Sequence, residues 1–366
     1  MPDDVVLHLR GHVLVGPDEE RHEAWVVGGR ITFDAPVGRA AGAAVQVVEG
    51  WVLPGLVDAH CHIGIDAGGG VDAATAERQA LTDRDAGSLL VRDCGSPVDT
   101  RWVDDREDLP VVVRAGRHLA RTRRYLRGLG HEVEPEELPA CAAAQARAGD
   151  GWVKLVGDWI DRQTGDLAPC WPRAALQAAV EAAHVEGARV TAHCFGEDCL
   201  PDLIAAGIDC IEHACGLTDA TRGIAAARGV AIVPTLVNID NFPAFAAAGE
   251  ERFPRYAAHM RALHARRYET VALAYEAGVP VFVGTDAGGS LPHGLIAKEV
   301  AELVAAGLPP TAVLDAAAWG ARSWLGKAAL DEGAQADAVV YPADPREDVG
   351  VLGHPSQVIL RGRPVA

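Results

Sequence analysis

The stretch WVLPGLVDAHCHIG, residues 51–64, is apolar for most of its length and ends in two histidines one residue apart. A short apolar run bounded by turn residues reads as a buried strand. In a strand the period of two sends His60 and His62 to one face and turns Cys61 to the other. Taken alone, the pair reads equally as two metal ligands or as two histidines hydrogen-bonded at a strand end.

Seven further strand-like runs follow it: SLLVRDCG (88–95), LPVVVRAG (109–116), GWVKLVG (151–157), ARVTAHC (188–194), DCIEHA (209–214), VAIVPTL (230–236) and VPVFVGTD (279–286). Ala-rich segments of helical period lie between several of them, clearest at 172–187, 200–207, 220–229 and 267–278, and each of these closes on a glycine. Strand and helix in alternation imply βα units and a parallel sheet. Eight such units match the size of a (β/α)8 TIM-like barrel, which places residues 51–334 in one α/β domain. Both ends of the chain differ from this pattern. Residues 5–15, 23–33 and 44–50 at one end, and 336–342 and 356–365 at the other, are β-branched and broken by glycine turns. They predict a small composite β-sandwich domain from residues 1–50 and 335–366.

Composition narrows the function. The chain has 366 residues, 49% of them hydrophobic, with 33 Lys and Arg against 51 Asp and Glu, a net charge of −18. That charge argues against nucleic acid and anionic membrane surfaces as partners. With no basic leader and no long apolar span, the reading is cytoplasmic, with a small-molecule substrate and no membrane partner. The eight cysteines contain no C-x-x-C pair and read as buried small side chains.

Polar residues fall where strands end. His60 and His62 close the first, Lys154 lies in the fourth, and His193, His213 and Asp286 close the fifth, sixth and eighth. A barrel brings all such positions to its C-terminal rim. Nitrogen and oxygen donors from four strands suit Zn2+, and an incomplete protein shell leaves a position for water. Lys154 is different, because an ammonium group facing the barrel interior carries a large desolvation cost. Either it reaches solvent, or it pairs with Asp158, or it loses its charge by adding CO2, which makes an anionic carbamate able to bridge two metals.

LPGLVDAHCHIG, VKLVGD, VTAHCFGEDCLPDLIAAGIDCIEHACGL and VFVGTDAGGS resemble, in order, the metal-ligand segments of the amidohydrolase superfamily. The likeness is to the branch of imidazolonepropionase-like hydrolases, metal-dependent prolidases and arginine carboxypeptidases, and it covers nearly the whole chain. It implies a first metal on His60, His62 and Asp286 and a second on His193 and His213, with N6-carboxylated Lys154 bridging. A one-metal member would gather His60, His62, His193 and Asp286 instead. Two departures concern the substrate: Asp158 and Trp159 stand after the bridging lysine, and Trp319 replaces an Asn-containing form in LDAAAWGARSWLG.

The implied chemistry is hydrolysis of a C–N bond, in an amide, N-acyl amino acid, dipeptide or cyclic amide, by metal-activated water. Asp286 moves the proton, and the metal, or His213 in a one-metal site, polarises the carbonyl oxygen. Deamination of an amino-heterocycle is the alternative, and a noncatalytic scaffold of the same fold a more remote one. Deaminases of the superfamily carry Glu three residues after the fifth-strand histidine, where this chain has Gly196 and places Glu197 one later. For substrate contacts the candidates are Arg117, His118 and Tyr125, in a cationic stretch after the third strand, and Asp158. Arg117 or His118 is expected to hold a carboxylate. A homo-oligomer is compatible with the sequence, and His293 is the remaining histidine closest to the ligands in sequence.

Overall fold

Gly11 and Gly50 sit where long terminal strands press together. A Cβ on Gly11 would lie 2.7 Å from the Gly50 carbonyl oxygen, and one on Gly50 2.7 Å from that of Tyr341. The computed structural model describes residues 5–365. In it the terminal segments form one seven-stranded sheet, in the order Arg363–Pro364, Gln357–Leu360, Ala338–Tyr341, Ala44–Pro54, Val5–Leu14, Glu20–Val27 and Arg30–Thr32. Strands from both ends of the chain are thus hydrogen-bonded as one sheet. The cause is the eleven-residue strand Ala44–Pro54, which runs parallel to Val5–Leu14 over most of its length and antiparallel to Ala338–Tyr341 at its end. Leu7, Leu9, Val26, Val52, Ala338 and Ile359, all buried, make its core.

The expected first barrel strand, 51–60, is two strands. Residues up to Pro54 belong to the terminal sheet, and Leu56–Cys61 opens the barrel. Gly55 is the joint, since a Cβ there would meet the Leu89 side chain at 2.5 Å. Parallel ladders then join Leu56–Cys61 to Ser88–Asp93 and Val111–Arg114, and Trp152–Val156 to Arg189–Cys194, Cys210–His213 and Ala231–Val233. The eighth run closes the ring without a regular strand. Residues 281–287 make isolated parallel bridges at Ile232↔Val281 and Cys61↔Ala287. Gly284 permits this approach, as a Cβ there would sit 2.6 Å from the His60 nitrogen.

Each glycine expected to end a helix does so in the left-handed region: Gly187, Gly207, Gly229 and Gly278 have φ of 80°, 90°, 66° and 82°. Two connections depart from a simple βα unit. After the third strand the chain makes short strands at Leu119–Arg121 and His131–Val133 before the helix Leu138–Ala148. After the seventh, helices Phe242–Gly249 and Pro254–Ala265 precede the outer helix Arg267–Glu276 and stand over the C-terminal rim. No helix is long and apolar enough to cross a membrane among the described residues.

Candidate metal centre

Strand alternation puts His60 and His62 on the inner face and Cys61 outside, beside Asp83 and His293 at 3.6 and 3.7 Å. The two inner rings bring their Nε2 atoms 3.2 Å apart, and Asp286 Oδ1 lies 3.0 and 3.1 Å from them. Asp286 reaches this place through a left-handed backbone, φ 57°, after Thr285 has anchored the turn by donating to Asp58 at 2.6 Å. His213 breaks the alternation in the same way. Glu212 before it already points inward, and φ of 67° at His213 and 53° at Ala214 turns the histidine inward as well. Non-glycine residues in this region carry strain of about 1–3 kcal/mol each, and such strain gathers at working sites. His213 Nε2 then faces His193 Nδ1 at 3.0 Å.

The far side of each ring fixes which nitrogen is bare. His62 Nδ1–H donates to the Gly95 carbonyl at 2.8 Å, and His60 Nδ1–H donates to the Glu212 carboxylate. His213 Nδ1 bonds Thr235 Oγ1 at 2.7 Å, and Thr235 is itself held at φ 51°. With those protons committed, lone pairs of His60, His62 and Asp286 converge on one point. Two ligands bound tetrahedrally at the usual Zn–N length are about 3.3 Å apart, close to these separations. The donor set and its spacing fit a divalent metal. His193, with Nε2 buried and unpartnered, presents Nδ1 to His213 and extends the donors into a second cluster.

Burial is the largest influence on His193 and His213. It depresses His193 well below the usual imidazole range and His213 to about 3, which leaves both neutral and able to ligate. Burial alone would raise the Asp286 carboxyl, but His60 and His62 hold it well below the carboxylate range. Asn238 Nδ2 donates to its second oxygen, Oδ2, at 2.7 Å.

Lys154 is 2% exposed and lies in the wall of the same cavity. The partner expected for it, Asp158, spends its two oxygens on the backbone N–H groups of Phe195 and Gly196, at 3.0 and 2.6 Å. Asp158 is thus a loop anchor outside the cavity wall, which corrects its expected contact with substrate. Arg117 is corrected for a similar reason. Its guanidinium donates to the carbonyls of Gly128, Leu129 and Gly130, closing the loop on itself. His118 and Tyr125 do line the cavity, and both ring nitrogens of His118 are buried without a partner.

The cavity is about 550 Å3 in volume. Leu126, Trp159, Phe195, Phe245 and Tyr256 give it an apolar wall, and Arg127 stands at its exposed edge. Phe245 and Tyr256 were not expected from the sequence. The only signal was the length of chain between the seventh and eighth strands. Glu197, the residue closest to a deaminase position, is turned away: its carboxylate binds His259 and Arg266.

Comparison with known proteins agrees with this architecture. Residues 143–365 match the amidohydrolase family. An uncharacterized protein of Mycobacterium tuberculosis is 58% identical over 361 residues, covering 98% of this chain and 95% of that one. Ochratoxinase of Aspergillus niger is 27% identical over 231 residues, 61% of this chain and 47% of that one. Among solved structures, a Xaa-Pro dipeptidase with methionine in its active site superposes with a TM-score of 0.81 at 21% identity, covering 98% of this chain and 99% of that one. A putative prolidase from Bifidobacterium longum gives 0.81 at 24% identity, covering 100% and 95%. A TIM-barrel fold with histidines and an aspartate at its C-terminal rim defines a class of hydrolases. The chain belongs to the amidohydrolase family.

Proposed function

We propose that this chain hydrolyses a carbon–nitrogen bond in a small amide that carries an apolar group, with divalent metal held by His60, His62, Asp286, His193 and His213. The observation that carries this reading is the convergence of donor atoms 3.0–3.2 Å apart, with the opposite ring nitrogens of His60, His62 and His213 engaged elsewhere. Lys154 is buried and its expected carboxylate partner is engaged elsewhere, so N6-carboxylation would relieve its charge and supply an anionic ligand for a two-metal centre, for which Zn2+ would be the best suited ion. When bound, such ions make water acidic enough to supply hydroxide near neutral pH and polarise a carbonyl oxygen.

The chain's own groups then divide the work. Asp286 takes the proton of the attacking water as the O–C bond forms, and gives it to the nitrogen as the C–N bond breaks. Asn238 holds the carboxylate from turning. His118, depressed well below the usual imidazole range by burial and then by His62, is neutral and free to hydrogen-bond the substrate. Tyr125, Trp159, Phe195 and Phe245 enclose the apolar part and exclude water. Prolidase and ochratoxinase relatives act within the same fold, which supports amide hydrolysis, and the engagement of Glu197 elsewhere weighs against deamination.

A screen of N-acyl amino acids, dipeptides and cyclic amides, run with and without chelator, tests this. The expected result is amine release that chelation abolishes and zinc restores. Zinc-loaded protein that cleaves none of them, or activity indifferent to chelator, overturns the reading. Ammonia from amino-heterocycles would favour deamination.

A further inference from the structure

Three ligand histidines are supported from behind in three different ways. His62 donates to a neutral backbone carbonyl and His213 bonds a hydroxyl, but His60 donates to the carboxylate of Glu212. Glu212 is 0% exposed and sits one layer beneath the cavity. Its other oxygen accepts from Arg92 Nη2 at 2.8 Å and from Thr191 Oγ1. Arg92 is equally buried; its Nε donates to the Ala59 carbonyl at 2.7 Å, next to His60, and its guanidinium lies over the rings of Trp152 and Trp324 at 4.5 and 4.9 Å. The carboxylate therefore cannot rotate away from His60.

We infer that Glu212, locked by Arg92, is the positioning residue that makes His60 the strongest imidazole donor of the centre and so grades the two metal positions. A carboxylate accepting from Nδ1 raises electron density at Nε2 and fixes the ring, and partners of this kind change metal affinity by about 10–100-fold. The position built by His60, His62 and Asp286 then holds its ion tightly. Behind the position built by His193 and His213 the carboxylate of Asp158 stands 3.9 Å from His193 Nε2, beyond hydrogen-bond reach and committed to the backbone N–H groups of Phe195 and Gly196, so this position gives up its ion first. This rests on the metal-centre reading above and goes beyond it by assigning an order of loss.

The test is metal retained by the zinc-loaded full-length protein against rising chelator, read by elemental analysis. Wild type is expected to lose zinc in two steps at least tenfold apart. His193→Asn should remove the easily lost step, and His60→Asn the resistant one. Glu212→Gln should move the resistant step by 10–100-fold towards the other and leave the weak one within about threefold. A single equivalent kept by His193→Asn and lost by His60→Asn also supports the assignment. Coincident steps, the reverse pattern in the histidine variants, or a folded Glu212→Gln that weakens both steps equally or neither would overturn it. If Glu212→Gln fails to fold, the two histidine variants still decide. Protein that binds no zinc at all overturns the functional proposal instead.

Discussion

Gly284→Ala probes the closure of the barrel and the metal centre together. The eighth run is stitched to the first strand by Ala59 N–H to the Val283 carbonyl at 2.8 Å, Asp286 N–H to the His60 carbonyl at 2.7 Å, and His62 N–H to the Ala287 carbonyl at 2.8 Å. A methyl on Gly284 would sit 2.5 Å from Val233 Cγ1, 2.6 Å from the His60 nitrogen and 2.8 Å from His60 Cβ, where ordinary contact begins at 3.4 Å. Relief needs 0.8 Å of movement at the His60 backbone, the difference between 3.4 and 2.6 Å. Overpacking of this kind costs about 1–3 kcal/mol, and for a chain of 366 residues each kcal/mol lowers Tm by about 1–2 °C. The same movement spreads His60 from Asp286, now 3.0 Å apart, so zinc affinity should fall by at least about tenfold. The assay is a pair of thermal melts, one in chelator and one in zinc. The variant should melt several degrees lower in chelator, and the upward shift that zinc gives should shrink. A variant that melts with wild type and takes the full zinc shift would refute the claim that Gly284 sets the distance between His60 and Asp286.

Other outcomes follow from the same contacts. Asn238→Ala frees Asp286 Oδ2 and should lower kcat by about 10–100-fold while zinc content stays unchanged; a parallel loss of zinc would make Asn238 a metal-site support instead. Lys154→Ala should lose one equivalent of zinc and most activity, partly restored by a short carboxylic acid, whereas full activity without additive would remove the bridge. His259 donates to Glu197 and Asp166, and the Glu197 hydrogen bond leads in raising its pKa from 6.5 to about 9. Between those values the folded chain binds more protons than the unfolded one, so this stabilisation is whole below 6.5 and lost as pH rises through 9. The Tm gap between wild type and His259→Gln should close over that range, and a gap that widened would reverse the sign of the argument.

The barrel was legible because its strands are apolar runs at regular spacing and its helices end on glycine, both local signals. His60, His62, His193 and Asp286 were legible because strand ends converge in a barrel. His213 was read from the same strand-end position, but the direction of its side chain, like that of Asp286, was not legible, because a left-handed backbone sets it. Glu212 and Asn238 looked like ordinary polar residues in sequence, since their value lies in partners at 60 and 92, or at 286, on other elements. Arg117 was misplaced for the opposite reason. A cationic run suggests an anion, but loops also use guanidinium groups to satisfy their own carbonyls, and here three carbonyls claim it.

The central claim is that these donors hold metal, with Lys154 as a bridge. Native mass spectrometry of the chain after incubation with zinc and bicarbonate measures this directly. The expected mass is that of the chain plus two zinc ions and one CO2, with the CO2 absent from Lys154→Ala. A chain that carries no zinc would contradict the metal centre itself, and one that carries zinc but never CO2 would contradict the carboxylated lysine.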